Sequence, residues 1–111
     1  MPSIIITPSA ENDLVDLWAY IARDNREAAD RVYAAVEETL EALAAMPAMG
    51  TVYQARRPKL KGIRFFPVKQ FRNYVIYYRD TTKGIEIIRV LHAHMNAGKR
   101  LAHAPKGDRS L

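Results

Sequence analysis

The sequence predicts a single α+β domain in which an N-terminal strand and a helical hairpin pack on a small antiparallel sheet, in the order βααβββ. Two consecutive segments before residue 50 carry apolar residues at three- and four-residue spacing, which is typical of amphipathic helices. Three short apolar and aromatic runs after residue 60 are typical of strands. The 111 residues suit one hydrophobic core. We place the domain at residues 1–102 and expect residues 103–111, which are mostly polar, to form a flexible tail.

The first two elements are a strand and a helix. Ser3 to Thr7 is a mainly β-branched run that predicts the strand. Thr7 is expected to cap the following helix, with Pro8 at its first position, where the missing N–H is tolerated. The apolar face of this helix is formed by Ala10, Leu14, Leu17, Trp18 and Ile21.

The second helix follows a short polar interruption at Asp24 and Asn25, and Asn25 is a suitable cap. Met46-Pro47 and Gly50 are expected to end the helix, because proline cannot continue its hydrogen bonds. The two helices form an αα-hairpin. The stripe of the second helix comprises Ala29, Val32, Tyr33, Val36, Leu40, Leu43 and Ala44.

The remaining elements are three strands after a basic connector at residues 51–61. We predict strands at residues 63–68, 73–79 and 85–91, with residues 80–84 forming a hairpin loop. Both faces of the third strand are apolar, which predicts a position inside the sheet. Strict alternation would put Ile85, Ile87 and Leu91 on one face and Ile88 and Val90 on the other.

Composition excludes several classes of protein. Hydrophobic residues make up 49% and charged residues 26%, as in an ordinary globular domain. There is no apolar run near the roughly 18 residues that a membrane span needs, and no signal peptide, so we expect a cytoplasmic protein. The absence of cysteine removes disulfides, thiolate nucleophiles and cysteine metal sites.

Charge is distributed unevenly along the chain. Residues 1–50 contain three basic and nine acidic residues, whereas residues 51–111 contain fourteen basic and three acidic residues. A basic half of this strength favours an anionic partner, either nucleic acid or an acidic protein segment. The alternative is that the two halves neutralise each other across the fold.

The candidate binding residues lie in or beside the late strands. Arginine and tyrosine on a sheet surface hold phosphates, stack on bases or grip an acidic peptide. Alternatively, the tyrosines are half-buried core residues and the arginines are simply solvated. The residues predicted to bind a partner are Arg64, Arg72, Tyr74, Arg79, Arg89 and His92.

A metal site or a self-contained active site is not predicted. His92 and His94 share a face only in a strand, no acidic residue is near them in sequence, and a zinc site needs three or four ligands. No serine stands in a nucleophile motif and there is no glycine-rich phosphate loop. His92 is the best acid–base candidate if catalysis occurs. We therefore expect no cofactor and no catalytic residue.

Several stretches, taken in order, resemble the ParE branch of the RelE/ParE toxin superfamily over residues 3 to about 101. They are Thr7-Pro8 with the helix after it, the end of the second helix through Gly50, Arg64 to Val68, Tyr74 to Arg79, and Gly84 to His92. Each is loose alone, but their order and spacing are quite specific.

The resemblance implies a βααβββ fold, a bacterial cytoplasmic location, and a cognate ParD-like antitoxin whose extended C-terminal segment wraps the toxin in a hetero-oligomer. It implies DNA gyrase as the target, poisoned without any cutting. RelE-like relatives instead cut messenger RNA on the ribosome with lysine, arginine and tyrosine. A ribonuclease here would use Arg64, Arg72 and His92, helped by Lys99 or Arg100. No tyrosine follows Tyr78, which favours the gyrase interpretation.

The chain departs from the ParE pattern after the last strand. The branch usually has a histidine followed closely by an Arg-Asp pair, and Met95 and Asn96 stand there instead. Two alternatives stay open: a weakened or differently aimed toxin, and an inactive copy that only binds its antitoxin.

Overall fold

The computed structural model describes residues 2–95 and 97–107, and it describes side chains in the last helix up to residue 102. The predicted α+β class and the βααβββ order are confirmed, with a short strand and a third helix added. The elements are β1 (Ser3–Ile6), α1 (Pro8–Ala22), α2 (Arg26–Ala45), β2 (Thr51–Val52), β3 (Ile63–Val68), β4 (Phe71–Asp80), β5 (Gly84–His92) and α3 (Ala97–Gly107).

The five strands form one sheet in the order β1-β5-β4-β3-β2. The predicted interior position of β5 is confirmed. The expectation of an antiparallel sheet needs one correction, because β1 runs parallel to β5 and the sheet is therefore mixed. Short loops dictate antiparallel pairing for β3, β4 and β5, whereas the helical hairpin separates β1 from the sheet and leaves its direction open.

The predicted helix caps are confirmed. The Thr7 side chain accepts a hydrogen bond from the Ala10 N–H at the start of α1, with Pro8 at the first helical position. Asn25 accepts the Ala28 N–H at the start of α2. Each cap satisfies one N–H that the helix itself leaves unpaired.

The main core lies between the hairpin and one face of the sheet. Its members are apolar side chains of α1, α2, β4 and β5, with Tyr78 the largest that is fully buried. The prediction that Tyr74, Ile76 and Tyr78 share a face is confirmed, because all three belong to or pack on this core. Tyr33, predicted in the buried stripe, is instead 36% exposed.

A bulge changes the predicted alternation of β5. Tyr77 pairs with Arg89 while Tyr78 pairs with Ile87, so Ile88 is an extra residue opposite β4. Val90 therefore packs with Ile87 in the main core, and Ile88 packs on the opposite face of the sheet. Strict alternation could not reveal this, because a bulge shifts every later residue of a strand to the other face.

The opposite face of the sheet is covered by the connector and by α3. Leu60 and Leu101 are buried there against Ile63 and Ile88. The sequence analysis missed α3, because residues 97–107 contain only one large apolar residue and include proline and glycine. The helical backbone runs to Gly107, the domain boundary at residue 102 stays a prediction, and residues 108–111 lie outside the described residues.

Among the described residues, no helix has the length and apolar character needed to cross a membrane.

Candidate functional site

A groove of about 770 Å³ lies between α1 and the C-terminal half of β5. Its walls mix aromatic rings with charges of both signs, so they are suited to a peptide or a polar surface of a partner. It is lined by Asp13, Asp16, Leu17, Ala19, Tyr20, Arg23, Tyr74, Arg89, Val90, His92, His94, Met95 and Arg100.

Tyr74 and His92 are direct cross-strand partners in the floor of this groove. Their rings meet edge-on, with centroids 5.2 Å apart and planes at 87°. Burial raises the pKa of the Tyr74 phenol, and the nearby Tyr20 raises it further. Tyr74 is thus a neutral hydroxyl at physiological pH. These two predicted residues are brought together by the sheet register.

His94 stacks on His92 at the mouth of the groove, with ring centroids 4.5 Å apart. The His94 N–H donates to Nδ1 of His92 at 3.1 Å, so this nitrogen acts as an acceptor. No group of three or more histidine, cysteine, aspartate and glutamate side chains that could hold a metal occurs in the part of the chain that the structure describes.

Arg89 is held in an ion pair that sequence reasoning did not foresee. Its Nε and one terminal nitrogen donate to the two carboxylate oxygens of Asp13, both at 2.7 Å, and the two side chains are 15% and 11% exposed. Asp13 also accepts the Val90 N–H at 2.9 Å. Because β1 ends at Ile6, this stretch of β5 has no strand on its β1 side, and Asp13 supplies the acceptor there. Arg89 further donates to the Arg100 carbonyl oxygen of α3 at 3.3 Å.

Arg64 and Arg79 lie away from the groove and each binds a loop backbone. The Arg64 guanidinium donates to the Gly50 carbonyl oxygen at 2.8 Å, and Arg79 donates to the Lys59 carbonyl oxygen. Tyr78, paired with Arg64 in the sheet, supports the same loop. Its hydroxyl donates to the Pro47 carbonyl oxygen at 2.6 Å and accepts the Gly50 N–H at 2.9 Å.

Arg72 is exposed near the start of β4, and among the described residues no hydrogen bond or ion pair holds it. The six predicted binding residues therefore separate into three groups. Tyr74, His92 and Arg89 surround the groove, although Arg89 is turned towards Asp13. Arg64 and Arg79 secure loops, and Arg72 stands alone.

Sequence reasoning missed the α1 wall of the groove. Tyr20 is 67% exposed and Arg23 lies over its ring, with 5.7 Å between the guanidinium carbon and the ring centroid. A large aromatic residue off the apolar stripe of a helix was the available signal. Met95, the first residue of the departure from the ParE pattern, lines the groove and is 42% exposed. Asn96 lies outside the described residues.

Comparisons with known proteins agree with this fold. The model of a family described as the ParE toxin of the type II toxin–antitoxin system, parDE, matches residues 4–97. A protein of Sinorhizobium fredii (strain NBRC 101917 / NGR234) named "Putative toxin Y4kP" is 36% identical over 81 residues, 73% of this chain and 77% of that protein. A chain of a solved structure titled "Chromosomal ParDE TA system from P. aeruginosa" superposes with a TM-score of 0.65 at 22% identity, covering 83% of this chain and 96% of that one.

Proposed function

The chain belongs to the ParE toxin family of type II toxin–antitoxin systems, and from this membership we propose that it poisons DNA gyrase in the bacterial cytoplasm and is neutralised by a cognate ParD-like antitoxin. The family match over residues 4–97 carries the proposal, because it spans the hairpin and all five strands. The toxin acts by binding, without cutting its target and without a metal or cofactor.

The geometry supports binding over ribonuclease action. The candidate nuclease residues were Arg64, Arg72 and His92. Arg64 pairs with Tyr78 and His92 with Tyr74, on opposite sides of β4, which puts their Cα atoms roughly 16 Å apart at usual strand spacings. The Arg64 guanidinium is also turned towards a backbone carbonyl. General acid–base chemistry needs groups within hydrogen-bond reach of one scissile bond.

The groove is the surface that we assign to the antitoxin. Tyr20, Tyr74 and Met95 offer apolar area to a peptide, while Arg23 and Asp16 offer charged contacts at its rim. Of the predicted binding residues, Tyr74 and His92 contact the peptide directly. Arg89 shapes the groove through its ion pair, and Arg64 and Arg79 act through the loops that they bind.

The test of target choice is inducible expression in a bacterium that lacks the antitoxin, with growth, a DNA damage reporter and bulk protein synthesis followed together. We expect arrest with the reporter switched on while synthesis persists early. Purified chain should also block supercoiling by gyrase. If protein synthesis collapsed before the reporter responded, and new transcript ends appeared inside codons, the chain would instead be a ribonuclease. Absence of arrest would identify an inactive family member.

The test of the groove is the affinity of the antitoxin for Tyr20→Ala. This side chain is mostly exposed, so its removal leaves the core intact. Loss of an aromatic anchor costs at least about 1 kcal/mol of binding, so we expect roughly a fivefold or greater rise in Kd. Tyr33→Ala is the matched control, because it removes an exposed aromatic residue from α2 outside the groove. If both variants raised the Kd equally, the groove would not be the binding site of the antitoxin.

A further inference from the structure

A second depression, a cleft of about 390 Å³, lies on the connector side of the molecule between the connector and the start of α3. The groove assigned to the antitoxin does not include it. Its lining combines cations, hydrogen-bonding groups and a small apolar floor. The lining residues are Tyr53, Gln54, Arg56, Arg57, Leu60, Gly98, Lys99 and Ala102.

The cleft is strongly electropositive. Arg56, Arg57 and Lys99 line it and no carboxylate does. Arg56 and Arg57 form no ion pair with the described residues, and the sequence from residue 51 to residue 79 contains no aspartate or glutamate at all. Lys59 and Lys61 extend the same charge along the exposed connector. Such a concentration of one charge attracts a polyanion.

Backbone groups add to this preference for anions. Gly98 and Lys99 belong to the first turn of α3, and the start of a helix carries partial positive charge. Gln54 and Tyr53 add side-chain amide and phenol groups, which donate hydrogen bonds to phosphate oxygens.

We propose that this cleft binds the phosphate backbone of duplex DNA. None of the large apolar side chains that are exposed on the described surface lines the cleft, so it lacks the anchors on which peptide sites depend. Its volume is near the lower end of the range for ligand pockets, about 300–1,000 Å³, which suits one sugar–phosphate unit.

Single-stranded nucleic acid fits the cleft less well. Proteins that bind single strands combine a basic groove with aromatic rings on which bases stack. The aromatic ring in this lining, Tyr53, is half-buried and packs edge-on against Tyr77, with centroids 6.0 Å apart. Backbone contact without base stacking is the chemistry of sequence-independent duplex binding.

The experiment measures fluorescence anisotropy of a labelled 20-base-pair duplex titrated with the full chain between 50 and 200 mM NaCl. Three cations that each neutralise a phosphate give a slope of about −2.7 for log K against log salt, which is about a 40-fold loss of affinity over this range. Arg56→Ala with Arg57→Ala should lower the magnitude of that slope by about 1.8. Lysine at both positions should keep it.

The matched control is Arg26→Ala with Arg31→Ala, which removes the same charge from exposed positions of α2 on the other side of the sheet. It should leave the slope unchanged. If both double variants lowered the magnitude of the salt slope equally, the binding would depend only on net charge, and the proposed site would be overturned. Tighter binding of a single-stranded oligonucleotide, or of a poly-glutamate peptide, would overturn duplex DNA as the ligand. A slope of magnitude below about 1 for the unaltered chain would also overturn it.

Discussion

Asp13→Ala tests whether the ion pair at the edge of β5 is a structural element of this fold. The substitution removes both carboxylate oxygens that accept hydrogen bonds from the Arg89 guanidinium, and it also removes the acceptor of the Val90 N–H. Breaking a buried ion pair from one side typically destabilises a protein by about 3–5 kcal/mol. Because the two side chains retain 15% and 11% exposure, we expect the lower end, about 3 kcal/mol.

The measurement is urea unfolding of the purified chain, supported by a thermal scan. For a domain of this size, about 3 kcal/mol lowers the melting temperature by more than about 10 °C. Asp16→Ala is the control, because this exposed carboxylate lies on the same helix and lines the same groove. Its effect should stay within about 0.5 kcal/mol.

A double-mutant cycle separates the pair from its surroundings. Much of the loss in Asp13→Ala comes from leaving the Arg89 charge without its carboxylate, so Asp13→Ala with Arg89→Ala should be less destabilising than the two single losses added together, by at least about 1 kcal/mol. Additive losses, or a loss below about 1 kcal/mol for Asp13→Ala, would refute the reasoning and make the contact an ordinary surface pair.

Three further changes test other parts of the fold. Tyr78→Phe removes two hydrogen bonds to backbone groups and should lower the unfolding free energy by about 1–3 kcal/mol; a neutral result would contradict a structural role of the hydroxyl. Burial raises the pKa of the Tyr78 phenol above its value of about 10 in the unfolded chain. The stabilisation by this phenol is therefore complete below about pH 10 and is lost at higher pH, because the unfolded chain ionises first. The unfolding free energy of Tyr78→Phe should accordingly fall less steeply with alkaline pH than that of the unaltered chain. Gly84→Ala would place a Cβ atom 1.9 Å from the Ser3 carbonyl oxygen, so we expect about 1–3 kcal/mol of destabilisation and faster amide hydrogen exchange in β1, whereas unchanged exchange would be contrary to the pairing. Thr39→Val removes the acceptor of the Lys69 N–H and should reduce stability by about 1 kcal/mol in urea, which an unaltered midpoint would disprove.

Local chemistry explains why so much of the fold could be predicted from the sequence. Thr7 and Asn25 are cap residues whose role depends only on their own side chain and the next turn. The ranges of β3, β4 and β5 follow from runs of β-branched and aromatic residues between turn signals. The direction of β1 and the bulge at Ile88 depend on contacts between distant segments, and no local pattern encodes them.

The candidate site was harder to predict for the same physical reason. An arginine in a strand gives the same signal whether it contacts a partner, a carboxylate or a loop carbonyl. Arg89 and Asp13 are 76 residues apart in sequence, and Arg64 meets Gly50 across 14 residues. Tyr74 and His92 are 18 residues apart in sequence and lie together because the register of β4 and β5 makes them direct neighbours. Residue type predicts that arginine and tyrosine contact something, but the fold decides which partner each side chain contacts.

The helix that the sequence did not reveal connects the two surfaces. Arg100 lines the groove and the adjacent Lys99 lines the cleft, so α3 is a wall of both. Leu101 is fully buried against Ile88, and the Arg100 carbonyl oxygen accepts a hydrogen bond from Arg89, so the bulged part of β5 holds the helix in place. Binding at one surface can therefore influence the other only to the extent that it shifts α3, because the sheet between them is tightly packed. The Asp13–Arg89 pair orients the guanidinium that donates to the Arg100 carbonyl oxygen, so Asp13→Ala also removes one of the contacts that position α3.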